Sequence, residues 1–481
     1  MEGPSRSSKD CSGCRKLEAE VASLREQLAC LRRQVKDLQE QLDAQTRTTK
    51  RQAAPFGRSR KVDESKSDST ETVQTNKKPG RKAGHEAAHR KRPHKVDRTI
   101  DVPVGVCPDC HVPVEPTQTF EQFQTDIPPV TPVVTQFNVQ VGSCPCCGQR
   151  VQGTHPEQTS QALGAAANTL GPRAVGLACE LKYRLGIPFR KISDLFGGFF
   201  SLPFCAGGIS RAAARLARRG RAVSDFIRLR LSLSAFVHAD ETSWYLGGSA
   251  WLHVFTSGDL VAFVVDRSRS REVAVGVLGK AYSGIVVCDG SPIYDIFETA
   301  RCNGHPLARI KRLLEADVAD TRGGLVDIRE LLKSGLALRD RREELTDLGF
   351  QRKLTTLRND LQDWIERHRD AADKEVARLA RHLKKYETEF LRYLEDPRIP
   401  ATNNAAEQIL RFAVLLRKVG CGNRTPQGAR TFEVLGSLAA TFRRCGVDFI
   451  EWVSNLMHLG HPKLIPPQLL PPGCSLQISY N

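Results

Sequence analysis

No stretch of the chain approaches the roughly 20 consecutive apolar residues of a membrane-spanning helix, so an integral membrane protein is not expected. The opening segment, MEGPSRSSKDCSGCRK, has no apolar core of the kind a secretory signal carries. Acidic charge is also short: 54 Asp and Glu stand against 71 Lys and Arg, a formal net charge of +17. An excess of that size points to a polyanionic partner, and with no membrane segment in view nucleic acid is the expected one. Fifteen cysteines, an odd number without a secretion signal, argue against a disulfide framework. Metal binding plus buried free thiols in a reducing cytoplasm is the expectation.

The 481 residues, 40% of them hydrophobic, suffice for three or four domains with at least one sizeable core. Over residues 1–45, Leu17, Val21, Leu24, Leu28, Leu31, Val35, Leu38 and Leu42 recur at alternating spacings of four and three. That is the seam of a coiled coil, expected to make a homodimer or higher oligomer. Residues 46–100 differ in kind. Between Arg47 and Arg98 there are 16 basic and 6 acidic residues and almost no large apolar ones. Such a stretch cannot bury a core; it reads as a flexible basic linker, with Arg81 and Lys82 as candidates for DNA contact.

Residues 101–155 contain two Cys-x-x-Cys knuckles, Cys107/Cys110 and Cys144/Cys147, with Cys146 as a competing thiol. Between them FEQFQTDI and VVTQFNVQV read as short strands, so a zinc ribbon with four thiolates on one Zn2+ is expected. Residues 165–225 read as helical, with a short helix near Lys191–Phe196 and a basic one over Ser210–Arg219. Either a DNA-reading helix-turn-helix or plain helical packing accommodates this pattern.

Period-two patterning takes over after residue 230. Three strands in a meander, a helix and a fourth buried strand, GIVVC, follow one another, the first carrying Asp240 and the fourth delivering Asp289. That order predicts an α/β, ribonuclease H-like core in which the two strands are neighbours. Facing carboxylates repel unless a cation lies between them, and hard oxygen donors select Mg2+ or Mn2+. Glu407, in TNNAAEQILR, is the candidate third carboxylate. Locally it also reads as a capping-box residue at the third helical position behind an Asn404 N-cap; Asn403 has no assigned role. Residues 320–396 read as a helical insertion within a catalytic domain spanning 230–445, and 446–481 as a C-terminal helix with a Pro-rich tail.

The blocks HADETSW, VVCDGSPIYD and TNNAAEQILRFAVLLRKVGCGNRTPQGARTFEVLGSLAATFRRCGVD resemble those of bacterial insertion-sequence-66 transposases of the TnpC type. The zipper, basic linker, CxxC…CxxC domain and helices precede them in the same order. The resemblance implies a DDE transposase of a bacterial mobile element, associated with the nucleoid. Asp240, Asp289 and Glu407 would bind two Mg2+ ions and cut DNA to a 3′-hydroxyl that attacks a target. His305, Arg411, Arg417 and Lys418 become candidates for contacting the DNA backbone, with Arg411 also placed to pair with Glu407 four residues away. Element ends, target DNA and accessory proteins of the same element are the implied partners. The chain departs from the family at Ser291-Pro292, where a Tyr is usual, and at Cys302-Asn-Gly-His305, where Cys-Trp-Ala-His is usual. An inactive remnant or a zinc-dependent DNA-binding regulator is the competing reading.

Overall fold

A computed structural model describes residues 92–315, 322–458 and 465–470. The coiled-coil seam, Arg81 and Lys82 lie outside the described residues. Two compact units, Met1–Gln124 and Thr125–Asn481, divide the chain. In the first, Cys107 N–H donates to Val112 O and His111 N–H to Cys107 O, both at 2.9 Å, closing a tight knuckle. In the second unit the other knuckle repeats this turn, with Gly148 N–H to Cys144 O at 2.9 Å. His111 and Gly148, one residue past each second cysteine, both take the left-handed conformation, φ 55° and 72°. A short antiparallel pair, β1 (Val141–Ser143) and β2 (Arg150–Gln152), flanks the second knuckle.

The two strands expected between the knuckles do not form. Residues 120–140 make no strand pairing, and Phe120, Ile127, Val133 and Val134 are exposed. Alternation prepares a segment for a sheet, but a strand exists only where a partner backbone takes up its hydrogen bonds. Of Phe137, Val139 and Val141, only Val141 finds one.

The main sheet has five strands: β3 (Phe236–Tyr245), β4 (Ser249–Ser257), β5 (Leu260–Asp266), β6 (Ile285–Cys288) and β7 (Glu298–Arg301). Their spatial order is β5-β4-β3-β6-β7, antiparallel through the meander and parallel from β3 to β7. This mixed sheet, with twelve helices among the described residues, is compatible with a ribonuclease H-like core. The crossover helix α4 (Arg271–Leu278) joins β5 to β6.

Three helices precede the sheet: α1 (Pro172–Tyr183), α2 (Phe189–Phe200) and α3 (Ala206–Ser232). The basic helix expected over Ser210–Arg219 is the first half of the 27-residue α3. Its Ile209, Ala212, Ala213, Leu216, Val223, Ile227 and Leu231 are buried in one cluster with the sheet. Arg219 donates to the carbonyls of Met457 and Thr159, so one of its basic residues serves packing. The three helices thus share one hydrophobic core with the sheet.

The charged insertion builds its own core. α5 (Gly304–Glu315), α6 (Arg322–Asp340), α7 (Asp347–His368), α8 (Lys374–Lys385) and α9 (Glu387–Glu395) bury Trp364, Phe390, Leu361 and Leu383 against Val287 of β6 and Ala300 of β7. Three helices follow: α10 (Asn404–Gly420), α11 (Pro426–Cys445) and α12 (Phe449–Met457). α10 turns Ala406, Leu410, Ala413 and Leu416 inward, a stripe of helical period.

α11 closes the exposed edge of the sheet. Outward N–H groups of Val261, Phe263 and Val265 on β5 donate to Thr441 Oγ1 (3.0 Å), Ser437 Oγ (2.9 Å) and Glu433 Oε1 (2.8 Å). Alternate residues of a strand lie about 6.6 Å apart and residues four apart on a helix about 6 Å, so the two repeats run in step. An edge that would otherwise invite another strand is covered. The α10–α11 turn grips the end of β3: Asn423 N–H donates to Tyr245 O (2.8 Å) and accepts Trp244 Nε1–H on its side chain (2.9 Å).

Candidate active site

β3 and β6 stay paired as far as His238 and Val287. Asp240 and Asp289 each stand two residues further on, so by strand alternation they share the face of those last partners where the strands part. Asp289 Oδ1 accepts Ser291 N–H (2.8 Å), and Asp240 Oδ1 accepts Glu241 N–H (2.8 Å). Burial first, and then the charge of Asp289, with smaller contributions from Glu241 and Glu407, push the Asp240 carboxyl up to about 7. The three acids expected from the sequence therefore feel one another.

Asn403 explains how Glu407 reaches them. It occupies the N-cap position of α10 but makes no capping hydrogen bond with its side chain. Instead its buried amide joins three elements. Asn403 Nδ2 donates to Ala239 O (2.8 Å), Oδ1 accepts His238 Nδ1–H (3.0 Å), and the backbone N–H donates to Cys302 Sγ (3.2 Å). The helix is thus fastened to β3 beside Asp240, and Glu407 lies one turn along, its N–H donating to Asn403 O (3.2 Å). The capping-box reading is corrected: with Asn403 at the N-cap, Glu407 is the fourth helical residue and Asn404 the first.

Cys302 follows β7 and His305 stands in the first turn of α5. Cys302 Sγ, a His305 ring nitrogen and a Glu407 oxygen lie within 4.8 Å of one another. The hydrogen bond to Cys302, with the charges of Cys302, Asp289 and Glu407, holds the His305 imidazole up to about 9 against its burial.

Several supporting residues went unread in the sequence. The Glu241 side chain is only 1% exposed; it pairs with Arg269, whose Nε–H donates at 2.8 Å, and accepts the Tyr294 O–H at 2.6 Å. Arg301, also buried, donates to Asp289 O (2.7 Å) and Ser291 O (3.0 Å), pairs with Asp295 and stacks 4.1 Å over Tyr386. It holds the Asp289 loop from behind. At Gly290 a Cβ would stand 3.1 Å from His382 Cε1, so the insertion's α8 packs on that loop as well. No spacing motif announces these residues, since each acts through a contact distant in sequence.

The DNA-contact candidates separate. Arg417 is engaged with β3, donating to Ser243 Oγ (2.5 Å) and to the Ser243 carbonyl. Arg411 is exposed and forms no ion pair with Glu407, and Lys418 is exposed near the end of α10. Amide hydrogen bonds from Cys110 and Asp109 lower the Cys107 thiol, and those from Cys147 and Cys146 lower that of Cys144.

A mixed sheet of this order with carboxylates gathered at the β3/β6 divergence fits the class of nucleic-acid-processing enzymes built on a ribonuclease H-like core. The family model described as Transposase IS66 family matches residues 168–431, more than half of the chain. The chain belongs to the IS66 family of transposases, enzymes that act on DNA. No curated protein matches it. No helix among the described residues is long and apolar enough to cross a membrane.

Proposed function

We propose that the chain is a DDE transposase that binds the terminal repeats of its insertion sequence, cleaves there and transfers the strand to target DNA. The observation that carries this reading is the mutual influence of Asp240 on β3, Asp289 just after β6 and Glu407 on a distant helix, with burial and then the charge of Asp289 pushing Asp240 up to about 7. That donor set of hard oxygens fits divalent cations. Asp240, Asp289 and Glu407 would hold two Mg2+ or Mn2+ ions. Such ions, when bound, neutralise the scissile phosphate and activate the attacking oxygen.

The protein's own share is positioning. Asn403 fastens the helix of Glu407 to the strand of Asp240, and Arg301 holds the loop of Asp289. Arg269 and Tyr294 occupy Glu241 and so remove a fourth carboxylate from the competition for cations. His305, Arg411 and Lys418 are positioned by this reading to meet the DNA backbone, whereas Arg417 orients α10. Cys107, Cys110, Cys144 and Cys147 would bind Zn2+ in an end-binding domain; the amide-stabilised thiols of the two knuckles support this. The heptad seam would pair two protomers and so two DNA ends.

The test is Mg2+-dependent cleavage of DNA carrying candidate element ends, compared with Asp289→Asn and Glu407→Gln. Loss of cleavage in both variants is expected. Cleavage that persists in both refutes the assignment, and absence of cleavage by the unaltered chain at any end sequence favours the inactive remnant or DNA-binding regulator.

A further inference from the structure

We propose that Cys302, His305 and Glu407 form a transition-metal site, distinct in chemistry from a hard-cation pair and suited to Zn2+, with one coordination position open to solvent. Three donors of different softness converge within 4.8 Å: a thiol sulfur, an imidazole nitrogen and a carboxylate oxygen. They come from the end of β7, the start of α5 and the first turns of α10, so the sequence gives no hint that Glu407 completes the Cys-x-x-His pair. In a tetrahedral zinc site the ligand atoms lie about 3.5 Å apart, given bond lengths of about 2.0 to 2.3 Å. From separations of no more than 4.8 Å, the donors need to close by at most about 1.3 Å, within reach of side-chain rotation.

The donor chemistry decides the ion. Thiolate is a poor ligand for Mg2+ and a good one for Zn2+, while imidazole suits zinc, iron, copper and nickel. One thiolate, one carboxylate and an imidazole whose proton the metal displaces on binding balance the charge of a divalent ion. The sulfur is also prepared as a ligand: Cys302 is 2% exposed and accepts the Asn403 N–H at 3.2 Å, a stabilising contact for a thiolate. A Cβ on Gly304 would lie 3.3 Å from Cys302 Sγ, so the turn between the two ligands is drawn tightly around the sulfur. His305 is exposed, which leaves the fourth position accessible. Glu407 belongs both to this set and to the acidic triad, so zinc here would draw it from the hard-cation set.

The inference does not depend on whether the chain cuts DNA. Full-length protein is equilibrated with Zn2+, freed of excess metal and assayed for zinc per chain by elemental analysis, alongside Cys302→Ser and His305→Gln. Each variant is expected to lose about one zinc per chain, whatever the cysteine knuckles hold. Replacement of zinc by Co2+ is expected to give a sulfur-to-cobalt charge-transfer band whose intensity falls in Cys302→Ser. His305→Gln, altering an exposed side chain, keeps the test decisive if Cys302→Ser fails to fold. Unchanged zinc content in folded His305→Gln overturns the proposal. Asp240→Asn is expected to keep this zinc while losing cleavage, so the metal site and the catalytic reading fail separately.

Discussion

The acidic cluster imposes a pH dependence on the metal-free protein. Asp240 carries a carboxyl moved from 3.8 to about 7 by burial, by Asp289 and by its other acidic neighbours. Between those values the folded chain holds a proton that the unfolded chain has released, so stability is greatest at the acidic end and falls as pH rises, until about pH 7. Each pH unit within that window is worth at most 1.4 kcal/mol. From pH 5.5 to 8.5 the group therefore contributes a loss of about 2 kcal/mol, and at pH 8.5 its ionised form costs up to about 4 kcal/mol in total. Asp240→Asn removes the proton exchange and the repulsion together.

The assay is urea denaturation in chelator at both pH values, for the unaltered chain and Asp240→Asn. Other titrating groups are shared, so the difference between the two pH slopes isolates Asp240. The unaltered chain is expected to lose about 2 kcal/mol more than the variant and to lie below it at pH 8.5. Saturating Mg2+ at pH 8.5 is then expected to stabilise the unaltered chain and to leave the variant nearly unmoved. Parallel slopes in chelator would refute the argument that these carboxylates crowd one another.

Asn403→Ala leaves Ala239 O and His238 Nδ1 without their buried partner; a loss of about 2 to 4 kcal/mol is expected in chemical denaturation. Gly422→Ala places a Cβ 2.7 Å from Tyr245 O at a φ of +81°, and should lower the melting temperature clearly. Gly198→Ala, in an open position within α2, should by contrast be neutral or raise it slightly. Arg411→Ala is expected to leave stability unchanged and to weaken DNA binding, reducing the salt slope measured by fluorescence anisotropy by about one.

Legibility tracked the range of the interactions. The pairing of β3 with β6 was legible because alternation and element order are local signals, and together they predict which strands become neighbours. The strands between the knuckles were misread because alternation there was not matched by a partner. The sequence shows Arg417 as one candidate for DNA contact among several and not that its guanidinium is held by Ser243, on a strand far away in sequence. Glu433, Ser437 and Thr441 lie just past residues 168–431, which the family model matches, and their common task is structural, sealing β5.

By itself the sequence determined the basic balance, the spacing of the cysteine knuckles and the family, since composition, periodicity and motif spacing are properties of neighbouring residues. Tertiary structure alone decided that Asn403, to which the sequence assigns no role, is a buried clasp, and that Cys302 and His305 stand beside Glu407. Hydrogen-bond geometry and donor convergence depend on where β3, β7 and α10 come to rest, and no local pattern of residues records that.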